Sequence, residues 1–507
     1  MQTRNKRLVK NTVFLYIRML LIMGVTLYTS RIVLEVLGFT DFGVYNVVGG
    51  VVAIFGFLNG AMSGASSRFL SFDIGQKNYD RLRKTFNVLL LSHIGIAVCV
   101  VILCETIGLW LLFNKLVMPE NQMGIILWVY QISVISSVLS IIAVPFSSVL
   151  ISHEDMNIYA YVGLAEAALK LTAVFLLTTI PGSKILVYAI LLLGVQIIIN
   201  IFYIIYCLYH YECCKIKICK ERAMYREIFG FVGGDLIGNI SVLAQGQGLN
   251  ILLNMFFGPV VNAARGITYQ VQGAVQQFSN NFTTAVRPQI IKLCAEKNFT
   301  EMFLLVDRAS CFSYYLMWLI ILPILLNTHY ILTLWLKNYP EYTIQFLDIV
   351  LWISLVQTLK TPRTMVFHGL GKVKLVNAVI GTFLIMTFPI SYIALKLGAT
   401  PTSVFEISLA IIILTEFASV YILKKYIKFS ATKYFVSVHL RCIIVSLISG
   451  IIPFLYHSGN ETTSFTQLLI SCCISTSSIL VTVLMIGMDK TTKNNLLVTI
   501  KNKLHRK

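Results

Sequence analysis

Apolar runs of about 20 residues, separated by short polar stretches, recur along the whole chain. A run of that length, wound as an α-helix, crosses the roughly 30 Å hydrocarbon core of a bilayer. The runs are unbroken, whereas the strands of a membrane β-barrel alternate apolar and polar positions. We therefore predict an all-α integral membrane protein with about 14 transmembrane helices, at residues 12–34, 44–62, 87–113, 123–150, 158–180, 185–209, 228–257, 260–286, 310–336, 344–368, 375–396, 402–423, 436–456 and 465–488.

The composition agrees with an exterior that faces lipid. Of the 507 residues, 57% are hydrophobic and 12% are charged, and the charged share is about half of the roughly 25% found in soluble domains. A water-soluble fold cannot bury so much apolar surface. The 11 cysteines lie mostly inside the predicted helices, so they indicate no disulfide framework, and their spacing matches no zinc site.

The net charge of +19 is distributed unevenly. Basic residues crowd both terminal tails and the connections on the same side, and the connections on the other side hold five: Arg31, Lys115, Lys184, Lys337 and Lys396. Since positive loops stay in the cytoplasm, we expect both termini there, in a multi-pass protein of the bacterial inner membrane. Charge spread over short loops suits membrane lipids and offers no stripe for nucleic acid.

A weak internal repeat appears at an offset of 220 residues. Leu37-Gly38 matches Phe257-Gly258, and residues 76–80 match residues 296–300. The repeat predicts two pseudo-symmetric six-helix bundles, residues 1–220 and 221–430, followed by two extra helices and a basic tail in residues 431–507. Because six is even, both bundles enter the membrane in the same direction, an arrangement that suits a central cavity and alternating access.

Two predicted helices are too polar on one side to face lipid. Hydrocarbon offers no partner to such groups, so they must face water or protein. We interpret them as the lining of a hydrated pathway; the alternative is that the amides join helices by hydrogen bonds. The polar faces comprise Asp235, Asn239, Gly246, Asn250 and Asn254, and then Asn262, Arg265, Tyr269, Gln272, Gln276, Asn280 and Thr283.

Further charges fall inside predicted helices, and the lone carboxyls among them, which could bind H⁺ or Na⁺, are Glu105, Asp348, Glu406 and Glu416. Arg18 either lines the cavity or reaches back to the membrane surface, about 12 Å away along the helix. Glu166 and Lys170 lie one turn apart and can neutralise each other, which favours a packing role over a role in ion coupling.

Short outer connections, such as residues 181–184 and 337–343, leave no room for an external catalytic domain. The sequence also lacks the common nucleotide-binding, hydrolase and metalloprotease motifs. We therefore expect a transporter that is not an enzyme and that has no cofactor or metal site. A membrane glycosyltransferase or polymerase is the rival from another class.

A motif near the first connection resembles a known family. Arg31 is followed at residues 36–45 by Val-Leu-Gly-Phe-Thr-Asp-Phe-Gly-Val-Tyr, which is similar to the first-loop pattern of the polysaccharide transporter family: leucine-glycine, then aromatic-glycine-x-tyrosine. The basic segment 68–84 also resembles that family. The resemblance implies the multidrug, oligosaccharidyl-lipid and polysaccharide exporter (MOP) superfamily. Within it, the resemblance implies flippases for undecaprenyl-pyrophosphate-linked repeat units of O-antigen (lipopolysaccharide) or capsule.

That resemblance gives the polar residues roles. Arg265, together with Arg18 and Arg31, would neutralise the pyrophosphate of a lipid-linked oligosaccharide. Asp235 would couple transport to H⁺ or Na⁺, with Glu166 and Lys170 as weaker candidates. Polysaccharide polymerase machinery is a possible partner. Amide and tyrosine side chains would exchange hydrogen bonds with the glycan: Asn239, Asn250, Asn262, Tyr269, Gln272, Gln276 and Asn280.

Two other transporter classes share this architecture. A cation-coupled multidrug antiporter of the multidrug and toxin extrusion (MATE) type would favour acidic cavity walls, whereas the helix at 260–286 carries Arg265 and no acid. A flippase for lipid II, the peptidoglycan precursor, has the same number of helices, but its first loop is less similar to residues 36–45.

Overall fold

A computed structural model describes residues 2–153, 155–215, 221–370, 373–427, 429–459, 462–488 and 493. Within these ranges the side chains of residues 2–19, 57, 58, 61, 156, 234–237, 239, 281, 284, 285, 288, 295, 373 and 374 are not described. The described residues are helical or lie in short turns, with no strand among them, so the all-α prediction is confirmed.

The chain divides into two compact units. Unit 1 comprises Met1–Ile267 and Leu384–Val404, and unit 2 comprises Thr268–Phe383 and Phe405–Lys507. The first helices along the chain are α1 (Gln2–Phe55), α2 (Phe57–Gly75), α3 (Tyr79–Leu103), α4 (Leu109–Asn114), α5 (Met123–Ser152), α6 (Met156–Thr179), α7 (Lys184–His210), α8 (Arg222–Leu243), α9 (Leu249–Phe257) and α10 (Pro259–Ala295).

The remaining helices are α11 (Phe299–Leu326), α12 (Thr328–Leu336), α13 (Thr343–Gly369), α14 (Val373–Lys396), α15 (Ser403–Tyr426), α16 (Ala431–Tyr434), α17 (Arg441–Gly459) and α18 (Phe465–Thr482). Single π-helical turns at Cys104–Gly108, Ala244–Gly248, Phe435–Leu440 and Val483–Gly487, and 3₁₀ turns at Glu120–Gln122 and Glu212–Cys214, adjoin the α-helices.

Each unit has its own helix packing. In unit 1, α5 contacts α2, α3 and α7, α8 lies against α2 and α3, and the later part of α1 contacts α9. In unit 2, α11 contacts α13, α17 and α18, and α17 and α18 pack on each other. Leu447, Phe454 and Leu455 on α17 remain 64–67% exposed. Such an apolar outer face suits lipid rather than water.

Among the described residues, twelve helical stretches are long and apolar enough to cross a membrane, which makes this a multi-pass membrane protein. The prediction of about 14 differs for two reasons. Leu20–Phe55 is one stretch because helical bonding resumes beyond a kink at Gly38, so it holds the first predicted helix and much of the second. Helix α10, although 37 residues long, is not among the twelve because its polar face lowers its mean hydropathy.

The backbone repeats at the positions where the sequence does. Gly38 and Gly258 have φ of 74° and 78° with extended ψ, a conformation reserved for glycine. Asn78 caps α3 by accepting a hydrogen bond from the Arg81 N–H, and Asn298 caps α11 by accepting one from the Glu301 N–H. These pairs lie 220 residues apart. The division into residues 1–220, 221–430 and 431–507 stays a prediction.

Candidate substrate-binding site

The motif at residues 36–45 shapes one wall of unit 1. Gly38 kinks α1 and sends its later part toward the start of α10. Gly43 then comes so close to α10 that a Cβ atom there would overlap the carbonyl group of Pro259. A side chain at Gly266 would likewise press on Asn46, within about 3.0 Å of its amide. The glycines of the motif therefore permit the close approach of α1 and α10.

Buried amides connect α1, α9 and α10 beside this contact. Asn262 donates to the Asn250 carbonyl at 2.7 Å and to the Asn250 Oδ1 at 2.8 Å. Asn250 donates to the Asn46 carbonyl at 3.2 Å. Asn254 accepts from the Val117 N–H at 2.7 Å and donates to the Val117 carbonyl at 3.3 Å. These amides thus bond to protein groups, as the helix-joining interpretation expects.

Arg265 lies one turn beyond Asn262 on α10 and is 7% exposed. Its Nη2 donates to the carbonyl of Gly246 at 2.5 Å. Gly246 belongs to the π-helical turn at Ala244–Gly248, where the wider backbone spacing breaks the regular helical hydrogen bonding. A guanidinium has five N–H donors in a planar fork, so it suits phosphate oxygens.

The sequence around Arg265 is free of acidic residues. Residues 236–295, which span the end of α8 and all of α9 and α10, contain no Asp or Glu. Because the segment combines Arg265 with neutral amides, its local charge favours an anionic ligand over a cationic one.

The polar face of α10 continues into unit 2, where it meets α13. Gln272 donates to the Ser354 Oγ at 3.1 Å, and Gln276 donates to the Gln357 Oε1 at 3.0 Å. Exposure varies along this face: Asn262 is fully buried, Gln272 is 9% exposed, Asn280 is exposed, and Thr283 is 4% exposed. Tyr269 and Gln276 are half-buried. The later part of α10 therefore carries both accessible and buried polar groups.

The other predicted site residues are placed as follows. Arg31 is half-buried on α1. Glu166 and Lys170 form an ion pair on α6 at 2.6 Å, with side chains 36% and 49% exposed. The two charges neutralise each other, and the choice between a packing role and a role in ion coupling stays a prediction. The side chains of Arg18, Asp235 and Asn239 lie outside the described residues.

A buried charge cluster in unit 2 was not predicted. Arg363 on α13, fully buried, forms an ion pair with Glu416 on α15, and its Nη2 also donates to the Ser419 Oγ at 3.0 Å. His439 contacts the same Glu416 carboxylate at 3.0 Å. The Tyr434 ring lies 4.8 Å from the guanidinium carbon. The expectation of a lone carboxyl at Glu416 was wrong, because the fold brings Arg363 to it.

The described residues hold no group of three or more His, Cys, Asp or Glu side chains able to bind a metal ion. No protein-family model matches this sequence, and no curated protein matches it. The solved structures do give matches.

The chain is similar to the structure of the lipid II flippase MurJ in an inward closed conformation, with a TM-score of 0.71, 15% identity, and coverage of 93% of this chain and 98% of that one. The chain therefore shares the fold of that structure. An inward-facing multidrug resistance MATE family transporter of the MOP superfamily matches with a TM-score of 0.65 and 13% identity, over 80% of this chain and 96% of that one.

A MOP superfamily transporter from Pyrococcus furiosus matches with a TM-score of 0.59 and 14% identity, over 80% of this chain and 93% of that one. Its structure is described as having a binding pocket of reverse polarity that suggests a different function. Pocket charge therefore varies within one fold, so the charge of each chain must be read from its own residues.

Proposed function

We propose that this protein is a flippase that moves undecaprenyl-pyrophosphate-linked oligosaccharides across the bacterial inner membrane by alternating access. The observation that carries the proposal is the buried Arg265, set among neutral amides in a segment without acidic residues. A pyrophosphate needs a cationic partner inside a low-dielectric protein, and the planar guanidinium supplies paired donors. The kinked motif at residues 36–45 and the MOP-superfamily fold support the same reading.

In this proposal the two ends of the α10 face act differently. The accessible amides and hydroxyl of Tyr269, Gln276 and Asn280 hydrogen-bond the glycan, and Arg265 holds the pyrophosphate. Weak, replaceable sugar contacts allow release, whereas the charged contact sets the strength of binding. The predicted bundles, residues 1–220 and 221–430, move against each other, and the backbone repeat at Gly38 and Gly258 supports that division.

The test uses the full-length protein in liposomes that carry a fluorescent polyprenyl-pyrophosphate oligosaccharide. A membrane-impermeant quencher added outside quenches the probe in the outer leaflet, so the rate of flipping is measured as the further loss of fluorescence when probe arrives from the inner leaflet. Charge-assisted hydrogen bonds contribute about 1.5–3 kcal/mol, so Arg265→Ala should slow flipping by about 10- to 150-fold. Arg265→Lys should recover part of the rate, because a point charge replaces the fork. Arg287→Ala removes an exposed charge from the same helix and should leave the rate within about twofold of wild type.

A wild-type flipping rate in the Arg265→Ala variant would show that Arg265 is not part of the site, and the proposal would fail.

The same liposomes test the coupling hypothesis for Asp235. If the carboxylate binds H⁺ or Na⁺, imposing either gradient should accelerate flipping, and Asp235→Asn should abolish the acceleration. Flipping that ignores both gradients would exclude ion coupling while leaving the substrate assignment intact.

Lipid II flipping is the second candidate, and chain coverage favours it over cation–drug antiport. The MurJ structure spans 93% of this chain, whereas the MATE structures span 80% or less. Lipid II and a repeat unit share the pyrophosphate and the polyprenyl tail and differ in the glycan. Rates for both substrates in the same liposomes separate the two functions, and Arg265→Ala should slow either one.

A further inference from the structure

A cavity of about 340 Å³ lies in unit 1, apart from α9 and α10. It opens where α3 begins and where α5 and α7 end, on the side that the charge distribution predicts to be cytoplasmic. Its lining includes Arg83, Lys215, His153 and Cys213, together with acidic Asp80 and Glu212. A small polar molecule fits this volume, and the mixed charges suit a ligand with both amino and carboxylate groups.

Two adjacent thiols meet at the wall of this cavity. Cys213 and Cys214 share the 3₁₀ turn Glu212–Cys214, with their Sγ atoms 4.0 Å apart. Cys214 is fully buried, whereas Cys213 is 8% exposed and lines the cavity. A reagent in the cavity therefore meets Cys213, whereas Cys214 lies behind it.

The turn is held in place by aromatic and polar contacts. The His153 ring stacks on Tyr211, with centroids 4.5 Å apart and planes 23° from parallel. The Tyr211 hydroxyl donates to the Asp155 carboxylate. These contacts fix the imidazole beside the Cys213 thiol, where both line the same cavity.

The surroundings favour the thiolate form of Cys213. The hydrogen bond from the Cys214 thiol, assisted by His153 against the effect of burial, lowers the pKa of Cys213 to about 6. Hydrogen bonds to Cys207 and Cys213 raise the pKa of Cys214, as does burial. One sulfur of the pair is therefore the nucleophile and the other is its hydrogen-bond donor.

We infer that Cys213 is a modification site, which undergoes thiol–disulfide exchange with small zwitterionic disulfides that enter the cavity. The Cys213 thiolate attacks one sulfur of the disulfide, a new Cys213 Sγ–S bond forms, and the original S–S bond breaks. The departing thiolate takes a proton from water. The disulfide is the oxidant, so the protein needs no further reactant. The attached group then occupies the space among the ends of three helices.

The experiment treats the full-length protein in nanodiscs with cystine, a small zwitterionic disulfide, at pH 6 and pH 8 and maps the adducts by peptide mass spectrometry. From pH 8 to pH 6, the thiolate fraction of a thiol with a pKa near 8.5 falls roughly 100-fold, whereas the thiolate fraction of Cys213 should fall about twofold. Asn121→Cys provides the ordinary thiol, since it is exposed and lies in a similar 3₁₀ turn, Glu120–Gln122.

Two variants make the result specific. Cys214→Ala removes the donor, so the rate at Cys213 should fall about 10-fold or more at pH 6 and much less at pH 8. Cys213→Ser should lose the fast adduct and keep its thermal unfolding midpoint. Adducts that map to another cysteine, or a Cys213 rate that falls roughly 100-fold from pH 8 to pH 6, would overturn the inference. Neither readout depends on the transport proposal.

Discussion

Two buried arginines, one in each unit, are held by different kinds of partner. Arg363 in unit 2 meets the carboxylate of Glu416 inside a ring of side chains from α13, α15 and the π-helical turn at Phe435–Leu440. Arg265 in unit 1 donates to the carbonyl of Gly246 and lies in a segment without acidic residues. A carboxylate neutralises a guanidinium inside a protein. The comparison assigns Arg363 to the architecture, whereas the proposed function gives Arg265 a part in ligand binding.

The backbone beside the two arginines is alike. Each lies on an α-helix, and each cluster includes a π-helical turn: the Gly246 carbonyl in Ala244–Gly248 accepts from Arg265, and His439 in Phe435–Leu440 contacts the Glu416 carboxylate that pairs with Arg363. Such turns are frequent at functional sites. The two clusters therefore differ in their side chains and not in this backbone feature.

The largest effect is expected from breaking the unit 2 pair. Glu416→Ala leaves the Arg363 charge buried without its carboxylate, which should destabilise the protein by about 3–5 kcal/mol. The double variant Arg363→Met with Glu416→Leu should recover most of that loss, because two apolar side chains replace the pair. Thermal unfolding in nanodiscs measures both. An unchanged midpoint in Glu416→Ala would mean that the pair is not structural and would erase the contrast with Arg265.

The sequence could predict those features that repeat or follow helical spacing, and it could not predict pairing across the fold. The glycine at 38 and its counterpart at 258 share an offset with Asn78 and Asn298, so the sequence showed that these positions correspond, although it did not predict the backbone turn or the cap at each. The polar face of α10 was visible at three- and four-residue spacing. By contrast, Glu416 follows Arg363 at a distance of more than 50 residues, with α14 between them, and no local pattern links the two.

The same limit applies to the candidate site. The sequence showed that Asn250 and Asn262 must avoid lipid, which left water and protein as possible partners. Only the packing of α9 on α10 decides that these two amides bond to each other. The residues were therefore predictable as polar positions, and their division into packed and accessible groups was not.

A smaller effect should follow from filling the close contact of unit 1. A Cβ atom on Gly43 would overlap the Pro259 carbonyl, so Gly43→Ala should cost about 1–3 kcal/mol as α1 shifts away from α10. Gly49→Ala is the matched control, because a Cβ atom there meets no atom within 4 Å. Since alanine favours helix, the control should be neutral or slightly stabilising. Equal unfolding midpoints for the two variants would show that the Gly43 contact does not hold the unit 1 site together.

The smallest effect compares the two caps. Asn78 begins α3 in unit 1 and Asn298 begins α11 in unit 2, and each side chain accepts a backbone N–H, at 3.0 Å and 3.3 Å. Replacement of either by alanine should cost about 1 kcal/mol, whereas aspartate should preserve the cap. Similar shifts in unfolding midpoint would indicate that the two repeats are equivalent at the starts of these helices. The difference between the two units would then lie in their buried charges. A shift at Asn78 without one at Asn298 would show instead that the asymmetry between the units extends to their helix ends.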